Sequence, residues 1–223
     1  MRVIVSYPPN SKTRSISSNM SFTDFLTVQN HFHSVDPKLA MILDSVDFSD
    51  WLDSKKPSDY FTSLTRDIIY QQLHGKAAGT IFGRFKELIG GEIVPESVII
   101  LSDQSIRDVG LSWAKVKYVK DLATQIIADT VNLASLDNMT DEEVIVELTK
   151  VKGIGPWTAE MFLLFTLKRE DIFSYGDLGL KNGFVKLYGI EEPTQAQISE
   201  IVSRWSPYRS YGSLALWHHL DNR

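Results

Sequence analysis

The segment that decides the fold of this chain reads Leu148-Thr-Lys-Val-Lys-Gly-Ile-Gly-Pro-Trp-Thr-Ala-Glu-Met-Phe-Leu-Leu-Phe165. Apolar helical patterns lie on both sides of a four-residue turn, Gly153 to Pro156. Gly153 and Gly155 lack a Cβ atom, so each can adopt positive φ or let a foreign backbone approach. Pro156 suits the first turn of a helix, where its missing N–H costs no hydrogen bond. The turn therefore predicts free backbone N–H groups at a helix N-terminus, which is an anion-binding arrangement.

We place this hairpin at residues 140–168. A second sequence signal follows it. The segment Asp171-Ile-Phe-Ser-Tyr-Gly-Asp-Leu-Gly-Leu-Lys-Asn-Gly-Phe184 sets Asp177 just ahead of another helical pattern. A helical hairpin followed by such a segment resembles the DNA glycosylase superfamily that is named for its helix-hairpin-helix motif and its Gly/Pro-Asp segment. A G-x-G turn alone is also typical of a plain helix–helix connection without a ligand. The continuation to Asp177 favours the glycosylase interpretation.

The resemblance covers residues 55–223 and is closest to the alkylpurine (3-methyladenine-type) branch. Besides the hairpin, it is carried by Leu64-Thr-Arg-Asp-Ile-Ile-Tyr-Gln-Gln-Leu-His-Gly-Lys-Ala-Ala78 and by Trp205-Ser-Pro-Tyr-Arg-Ser-Tyr211. It implies an all-α, bilobed helical domain with a cleft between the lobes. The activity that it implies is a DNA glycosylase of base excision repair.

Hydrophobic periodicity independently predicts an all-α fold. From residue 21 onward, apolar side chains recur at three- and four-residue spacings, and no pair of alternating β-type runs or fixed repeat interrupts them. These patterns predict helices at Trp113–Thr130 and Leu178–Tyr188, and Thr140 with Glu143 predicts a capping box at the start of the first hairpin helix. We expect a glycosylase domain at residues 21–223, in which the middle helices form one lobe and the terminal segments share the other. Residues 1–20 are polar and free of acidic residues, so we expect a polar tail there, with one short strand as an option at residues 2–7.

Composition limits the classes of site. The chain has 223 residues and no cysteine, which excludes disulfides, thiolate zinc sites and iron–sulfur clusters. No apolar run approaches the roughly 18 residues that cross a membrane. The net charge of −5 argues against a broadly basic nucleic-acid coat. Residues 150–223 nevertheless hold nine Lys/Arg against eight Asp/Glu, so DNA contact should rely on a few placed cations and on backbone amides.

Asp177 is the predicted catalytic residue, because the family's catalytic aspartate falls on this position. Cleavage of an N-glycosidic bond builds positive charge on the deoxyribose, which a fixed carboxylate opposes while it orients or deprotonates the attacking water. The alternative for Asp177 is a helix N-cap, a position that aspartate also suits. Both roles are compatible with each other.

Trp157 bears on the mechanism. Bifunctional members of the superfamily place a lysine nucleophile two residues after the second glycine of the hairpin, and here that position is Trp157. Lys150 and Lys152 precede the turn and are interpreted as phosphate contacts or solvated charges. The sequence thus predicts a monofunctional enzyme without lyase activity.

The base pocket is predicted from the same resemblance. Alkylated purines often carry positive charge, and an aromatic pocket can select them by stacking and by cation–π attraction. The resemblance assigns Trp157 and Tyr208 to such a pocket, with Met161 nearby where some relatives have an aromatic residue. Ordinary helix packing is the alternative for each aromatic.

The remaining predicted contacts are with DNA. Gln71, Gln72, Leu73 and His74 end a helix and match the family's minor-groove wedge, which fills the gap left by a flipped base. Gln72 is the preferred plug, with its two following neighbours beside it.

Phosphate contacts are predicted from the hairpin itself. The residues assigned to them are Lys152, Gly153, Gly155 and Thr158. Backbone carbonyls near Lys150, Val151 and Gly153 are candidate ligands for a monovalent cation, as in relatives, whereas no side-chain metal site and no cofactor are expected.

Two other functions remain open from the sequence. One is a non-catalytic helix-hairpin-helix module that recognises DNA without turnover, against which the presence of Asp177 argues. The other is a glycosylase for a different damaged base. The expected partner is double-stranded DNA containing damaged bases; we expect a monomer, no membrane association, and a location in the bacterial cytoplasm or the eukaryotic nucleus.

Overall fold

The structure is a computed structural model that describes residues 24–54, 56–57 and 59–222. Its described residues form two compact units, unit 1 from residues 56–167 and unit 2 from residues 24–54 and 168–222. Every regular element of this described part is helical. The α-helices are α1 (Phe25–Val35), α2 (Pro37–Leu43), α3 (Ser49–Leu52), α4 (Tyr60–Tyr70), α5 (Gly75–Ile89), α6 (Pro95–Ile99), α7 (Asp103–Asp108), α8 (Trp113–Ile127), α9 (Asp141–Leu148), α10 (Pro156–Phe165), α11 (Leu178–Tyr188), α12 (Gln195–Val202) and α13 (Arg209–Asp221). Short 3₁₀ helices lie at Leu133–Asn138 and Ser203–Trp205.

Local sequence signals account for most helix boundaries. Thr140 and Glu143 form the predicted capping box at the start of α9, each side chain bonding the other residue's backbone N–H. Gly90 ends α5 in the left-handed conformation, at φ 70°. Asp59 caps α4. The end of α8 differs from the sequence expectation: the helix ends at Ile127 instead of Thr130, because Asp129 takes the left-handed conformation at φ 53°.

Helix α10 of unit 1 is largely buried. This helix is apolar on nearly all sides, and its buried side chains include Met161 and Phe162. A helix that is hydrophobic all round belongs in a core. α4 packs against α5 and α8, and α9 packs against α10. The buried apolar side chains of this unit include Leu64, Ile68, Phe85, Val116, Val119, Leu122 and Leu148.

Unit 2 is built from helices that are far apart in sequence. α13 packs against α11 and α2, and α1 packs against α2. Asp36 links the two segments, because its Oδ2 accepts hydrogen bonds from Trp205 Nε1 at 2.9 Å and from the Tyr188 hydroxyl at 2.5 Å. A carboxylate that is only 7% exposed needs such donors to offset its desolvation.

The predicted all-α class is therefore confirmed for the described residues, and the chain divides between middle and terminal segments as expected. The predicted tail at residues 1–20 and the optional strand at residues 2–7 lie outside the described residues. The domain boundaries stay predictions. Among the residues described, no helix is long and apolar enough to cross a lipid bilayer.

Candidate functional site

The hairpin turn, residues 153–156, connects α9 and α10 in unit 1. Gly153 has φ +87°, and a Cβ built on it would lie 2.2 Å from Cδ2 of Tyr118. Glycine is therefore required there for both conformation and space. Gly155 caps α10 at φ −93°, and a Cβ built on it would meet nothing within 4 Å. With Pro156 as the first helical residue, the turn has the geometry that its sequence predicts.

The wedge turn, residues 71–74, joins α4 to α5 in the same unit. Gln72 has φ +59°, and its side chain is exposed. His74 is also exposed, whereas Leu73 is half-buried. The left-handed backbone at Gln72 holds an exposed amide side chain at the tip of the turn, which suits the predicted plug. Insertion into DNA stays a prediction for all of these residues.

Gln71 joins the wedge turn to the hairpin turn. Its Nε2 donates to the carbonyl oxygen of Gly153 at 2.9 Å and to Oγ1 of Thr158 at 3.3 Å. Thr158 is only 7% exposed. Both side chains are thus engaged inside unit 1, and their DNA contacts stay predictions.

The two lysines before the hairpin turn form internal ion pairs. Lys150 Nζ lies 2.6 Å from Glu147 Oε2, and Lys152 Nζ lies 3.2 Å from Asp121 Oδ1. The Lys152 side chain is nevertheless 76% exposed, so its ammonium can still meet an incoming phosphate. Burial raises the pKa of Glu147, but its hydrogen bonds from Lys150 and from the Asn132 N–H outweigh this, and the net pKa lies below the ordinary value.

Two of the three carbonyls predicted to hold a monovalent cation already accept hydrogen bonds. The Val151 carbonyl accepts from Ile154 N–H at 3.1 Å, and the Gly153 carbonyl accepts from Gln71. A carbonyl oxygen has two lone pairs, so these atoms keep room for one further contact each. The cation site, with Lys150 as its third carbonyl, stays a prediction. In the part of the chain that the structure describes, no group of three or more His, Asp or Glu side chains could hold a metal ion.

Asp177 is the N-cap of α11 in unit 2. Its Oδ1 accepts hydrogen bonds from Leu180 N–H at 2.7 Å and from Trp217 Nε1 at 3.0 Å. Donors to a carboxylate stabilise its charged form and fix its orientation. Asp177 thus occupies the cap position of the alternative interpretation, with a second donor that capping does not require.

Trp217 and Gly179 were not predicted from the sequence as site residues. A Cβ on Gly179 would lie 2.9 Å from Trp217 Nε1 and 3.0 Å from Asp177 Oδ1. One turn later, a Cβ on Gly183 would lie 2.6 Å from the carbonyl oxygen of Leu216. The two glycines therefore let α13 approach α11 closely enough for the indole to reach the carboxylate. Their four-residue spacing in the sequence is a signal that could have indicated this contact.

Tyr208 precedes α13, in a segment that is tied to Asp171. The Asp171 carboxylate accepts from Arg209 Nε at 2.7 Å, from Arg209 Nη2 at 2.9 Å and from Ser206 Oγ at 2.8 Å. Burial raises the pKa of Asp171, but these hydrogen bonds prevail and hold it below its ordinary value. The half-buried Tyr208 ring packs against the His31 ring in a T-shaped arrangement, with ring centroids 5.1 Å apart. The residues on both sides of Tyr208 are therefore held by one carboxylate.

Trp157 and Met161 lie four residues apart on α10 in unit 1. Positions four apart share a helix face. Met161 is 9% exposed, and Trp157 is half-buried. The residue two positions after Gly155 is thus a tryptophan on the first turn of α10. Base contact by Trp157, Met161 and Tyr208 stays a prediction.

Residues 65–207 match a protein-family model described as the HhH-GPD superfamily of base excision DNA repair proteins. The match covers more than half of the chain and includes the wedge turn, the hairpin turn and Asp177.

Three known proteins illustrate the similarity. A DNA-3-methyladenine glycosylase of Saccharomyces cerevisiae is 39% identical over 70% of this chain and 57% of its own length. The crystal structure of a DNA-3-methyladenine glycosidase from Bacillus halodurans is 32% identical, with a TM-score of 0.75 over 86% of this chain and 88% of that one. The 3-methyladenine DNA glycosylase of Schizosaccharomyces pombe, in complex with abasic DNA, is 28% identical, with a TM-score of 0.70 over 86% of this chain and 95% of that one. The chain spans less than two thirds of the length of two curated relatives: 57% of the Saccharomyces cerevisiae protein and 59% of a Bacillus subtilis protein.

Proposed function

Because this chain belongs to the HhH-GPD superfamily of base excision DNA repair proteins, we propose that it is a monofunctional DNA glycosylase. Its substrates in this proposal are alkylated purines of the 3-methyladenine and 7-methylguanine type in duplex DNA. The observation that carries the proposal is the orientation of the Asp177 carboxylate by two N–H donors. In the sequence, this residue follows the hairpin turn that we assign to a DNA phosphate. The names of its relatives support the choice of alkylated purines.

Asp177 supplies the chemistry in this mechanism. As the bond between base and sugar breaks, the deoxyribose gains oxocarbenium character, and a nearby negative charge lowers the energy of that state. The carboxylate also accepts the proton of the water that attacks the sugar carbon. Leu180 N–H and Trp217 Nε1 hold Oδ1 in one orientation, so little reorganisation is needed during the reaction.

DNA is held by the two turns of unit 1. Gly155 leaves open space at the N-terminus of α10, where N–H groups and the helix dipole favour a phosphate. Gln72 fills the gap that the flipped nucleotide leaves in the duplex, which offsets part of the few kcal/mol that unstacking costs. The Schizosaccharomyces pombe relative bound to abasic DNA supports duplex DNA as the ligand.

Recognition of the base rests on Trp157, Met161 and Tyr208. The faces of the two aromatic rings attract a cationic purine, and such contacts are worth roughly 0.5–2 kcal/mol each. Alkylation at N3 or N7 also weakens the bond to the sugar, so the enzyme needs less assistance from a general acid. Undamaged purines have neither the positive charge nor the weakened bond to the sugar.

Release of bases from methylated DNA tests the function. We expect incubation with duplex DNA treated with a methylating agent to release 3-methyladenine and 7-methylguanine, which chromatography identifies against standards. The same duplex without treatment is the control and should release neither base. Binding to the methylated duplex without release of any purine would instead favour a non-catalytic recognition module.

The mechanism predicts that no covalent adduct forms. Trp157 occupies the position where bifunctional relatives carry a lysine, and an indole cannot form a Schiff base with the sugar. Borohydride added during excision should therefore trap no protein–DNA complex on a denaturing gel, and the DNA strand should stay intact until alkali is added. A bifunctional glycosylase assayed in parallel provides the positive control. A trapped adduct in our protein would contradict the monofunctional assignment.

A further inference from the structure

One face of helix α8 contacts the segments that form both DNA-binding turns of unit 1. Lys115, Tyr118 and Asp121 follow one another at three-residue intervals, so they lie along the same side of the helix. Lys115 reaches the wedge turn at one end of this row. Tyr118 and Asp121 reach the hairpin turn and the residue before it.

Lys115 holds the backbone at the end of α4. Its Nζ donates to the carbonyl oxygen of Ile69 at 2.8 Å and to that of Gln71 at 2.5 Å. The last carbonyls of a helix lack intrahelical partners, and a cation there also complements the helix dipole. The very next residue is Gln72 at φ +59°. The amine thus pins the backbone at the point where the chain turns toward the exposed tip.

The other two residues of the row support the hairpin. The Tyr118 ring fills the space beside Gly153, as the 2.2 Å approach of a Cβ built there shows. Asp121 Oδ2 accepts the backbone N–H of Lys152 at 2.9 Å. The side-chain amide of Gln71 completes the connection, because it bonds the Gly153 carbonyl directly. A continuous set of contacts therefore runs from Lys115 through the wedge turn to the hairpin turn.

We propose that Lys115 is a positioning residue that fixes the spacing between the wedge turn and the hairpin turn before DNA binds. The proposal rests on the proposed function, because it assigns these turns to the duplex gap and to a phosphate. Fixed spacing matters since the DNA must bend between the two contacts for the base to leave the stack. A looser wedge turn would still bind DNA, but it would hold the flipped state less often.

The lysine is not simply another surface charge for the phosphates. Burial lowers the pKa of the Lys115 amine below its ordinary value, and both of its bonds go to the protein's own backbone. Lys117, two residues further along α8, is exposed. Lys115→Met and Lys117→Met remove the same charge from the same helix. Their difference therefore separates positioning from general attraction to DNA.

Amide hydrogen exchange of the free protein tests the spacing directly. The reporters are Leu73 N–H, bonded to the Tyr70 carbonyl at 3.1 Å, and Ile154 N–H, bonded to the Val151 carbonyl at 3.1 Å. We expect Lys115→Met to speed exchange at both about tenfold, since hydrogen bonds to a charged group are lost. Exchange within α13 of unit 2 should not change, and Lys117→Met should match the wild type throughout. Faster exchange at Leu73 alone, at neither amide or uniformly across the chain would overturn the proposal.

A duplex that contains a tetrahydrofuran abasic-site analogue and a dye at each end provides the second readout. We expect Lys115→Met to weaken binding no more than Lys117→Met does, yet to reduce the bending seen by energy transfer. Its single-turnover excision rate at saturating protein should fall by tenfold to about a hundredfold, as expected for a small misplacement. Lys115→Arg keeps two donors and should recover most of the rate. Equal behaviour of the two methionine variants would overturn the proposal.

The two tests distinguish failure of the inference from failure of the proposed function. Absence of excision by the wild-type protein would refute the glycosylase function, while hydrogen exchange would still decide whether Lys115 couples the turns. Normal wild-type excision with no difference between the methionine variants would refute the coupling alone.

Discussion

Asp177→Asn is expected to abolish base excision while leaving DNA binding intact. Asparagine retains an Oδ1 atom that can accept from Leu180 N–H and Trp217 Nε1, so the cap of α11 and the orientation of the side chain persist. The negative charge that opposes the oxocarbenium ion is lost, and asparagine cannot take a proton from water. Removal of one electrostatic contributor of this kind costs on the order of 10²–10³ in rate, and loss of the proton acceptor adds to it. Single-turnover release of 3-methyladenine measures the rate.

A matched control separates catalysis from capping. Asp24 caps α1 in the same unit, where its side chain accepts from Leu26 N–H at 3.3 Å. Asp24→Asn makes the same chemical change at a helix N-cap and should leave the excision rate unaltered. Both variants should bind a duplex with an abasic-site analogue as tightly as the wild type, measured by fluorescence anisotropy. An Asp177→Asn protein with full activity would show that this residue is only a cap.

Gly153→Ala is expected to lower both the stability of the protein and its affinity for DNA. The new methyl group would lie 2.2 Å from the Tyr118 ring, and the residue would have to keep φ +87°. Overpacking costs about 1–3 kcal/mol and left-handed backbone adds roughly 1–2 kcal/mol, so unfolding in urea should show a clear loss of stability. DNA affinity should fall as well, because relief of the clash displaces the turn. Unaltered stability would mean that the Tyr118 ring can move away from the new methyl group at little cost in free energy.

Gly155→Ala is the matched variant for comparison with Gly153→Ala, since it adds the same methyl group two residues later. Nothing lies within 4 Å of the new Cβ, and φ −93° is accessible to alanine. Alanine is a poorer N-cap than glycine, so a stability loss of at most about 1 kcal/mol is expected. A fall in affinity for the abasic duplex, with the fold retained, would indicate that DNA backbone approaches this glycine closely. Equal affinity for the wild type and the variant would show that the DNA backbone does not occupy the open space beside the Gly155 Cα atom.

Local sequence signals predicted the hairpin and the helix that follows it. The capping box at Thr140, the proline at position 156 and the boundaries of α11 at Leu178 and Tyr188 are confirmed by the structure. These features depend on residues within one or two turns of each other, which is the range over which sequence patterns act directly. The same range covers the cap position of Asp177, whereas its catalytic role is what the resemblance to the family implies.

Contacts between distant segments were not predictable in this way. Trp217 lies 40 residues after Asp177, and its indole reaches the carboxylate only because two glycines of α11 admit α13. Helix α13 is buried on several sides, so no single apolar stripe shows which residue faces the site. Lys115 looks like one of several lysines in an amphipathic helix, and only the three-dimensional structure distinguishes it from the exposed Lys117.

The division of the chain also has a consequence for the order in which its parts can fold during synthesis. Unit 1, as far as it is described, comes from the single segment 56–167, whereas unit 2 needs residues on both sides of it. Domains generally fold as units while the ribosome is still extending the chain. The turns assigned to holding DNA can therefore fold before unit 2, which contains Asp177 and Trp217, is complete. The nascent chain would form its DNA-binding turns before it completes the unit that contains the catalytic carboxylate.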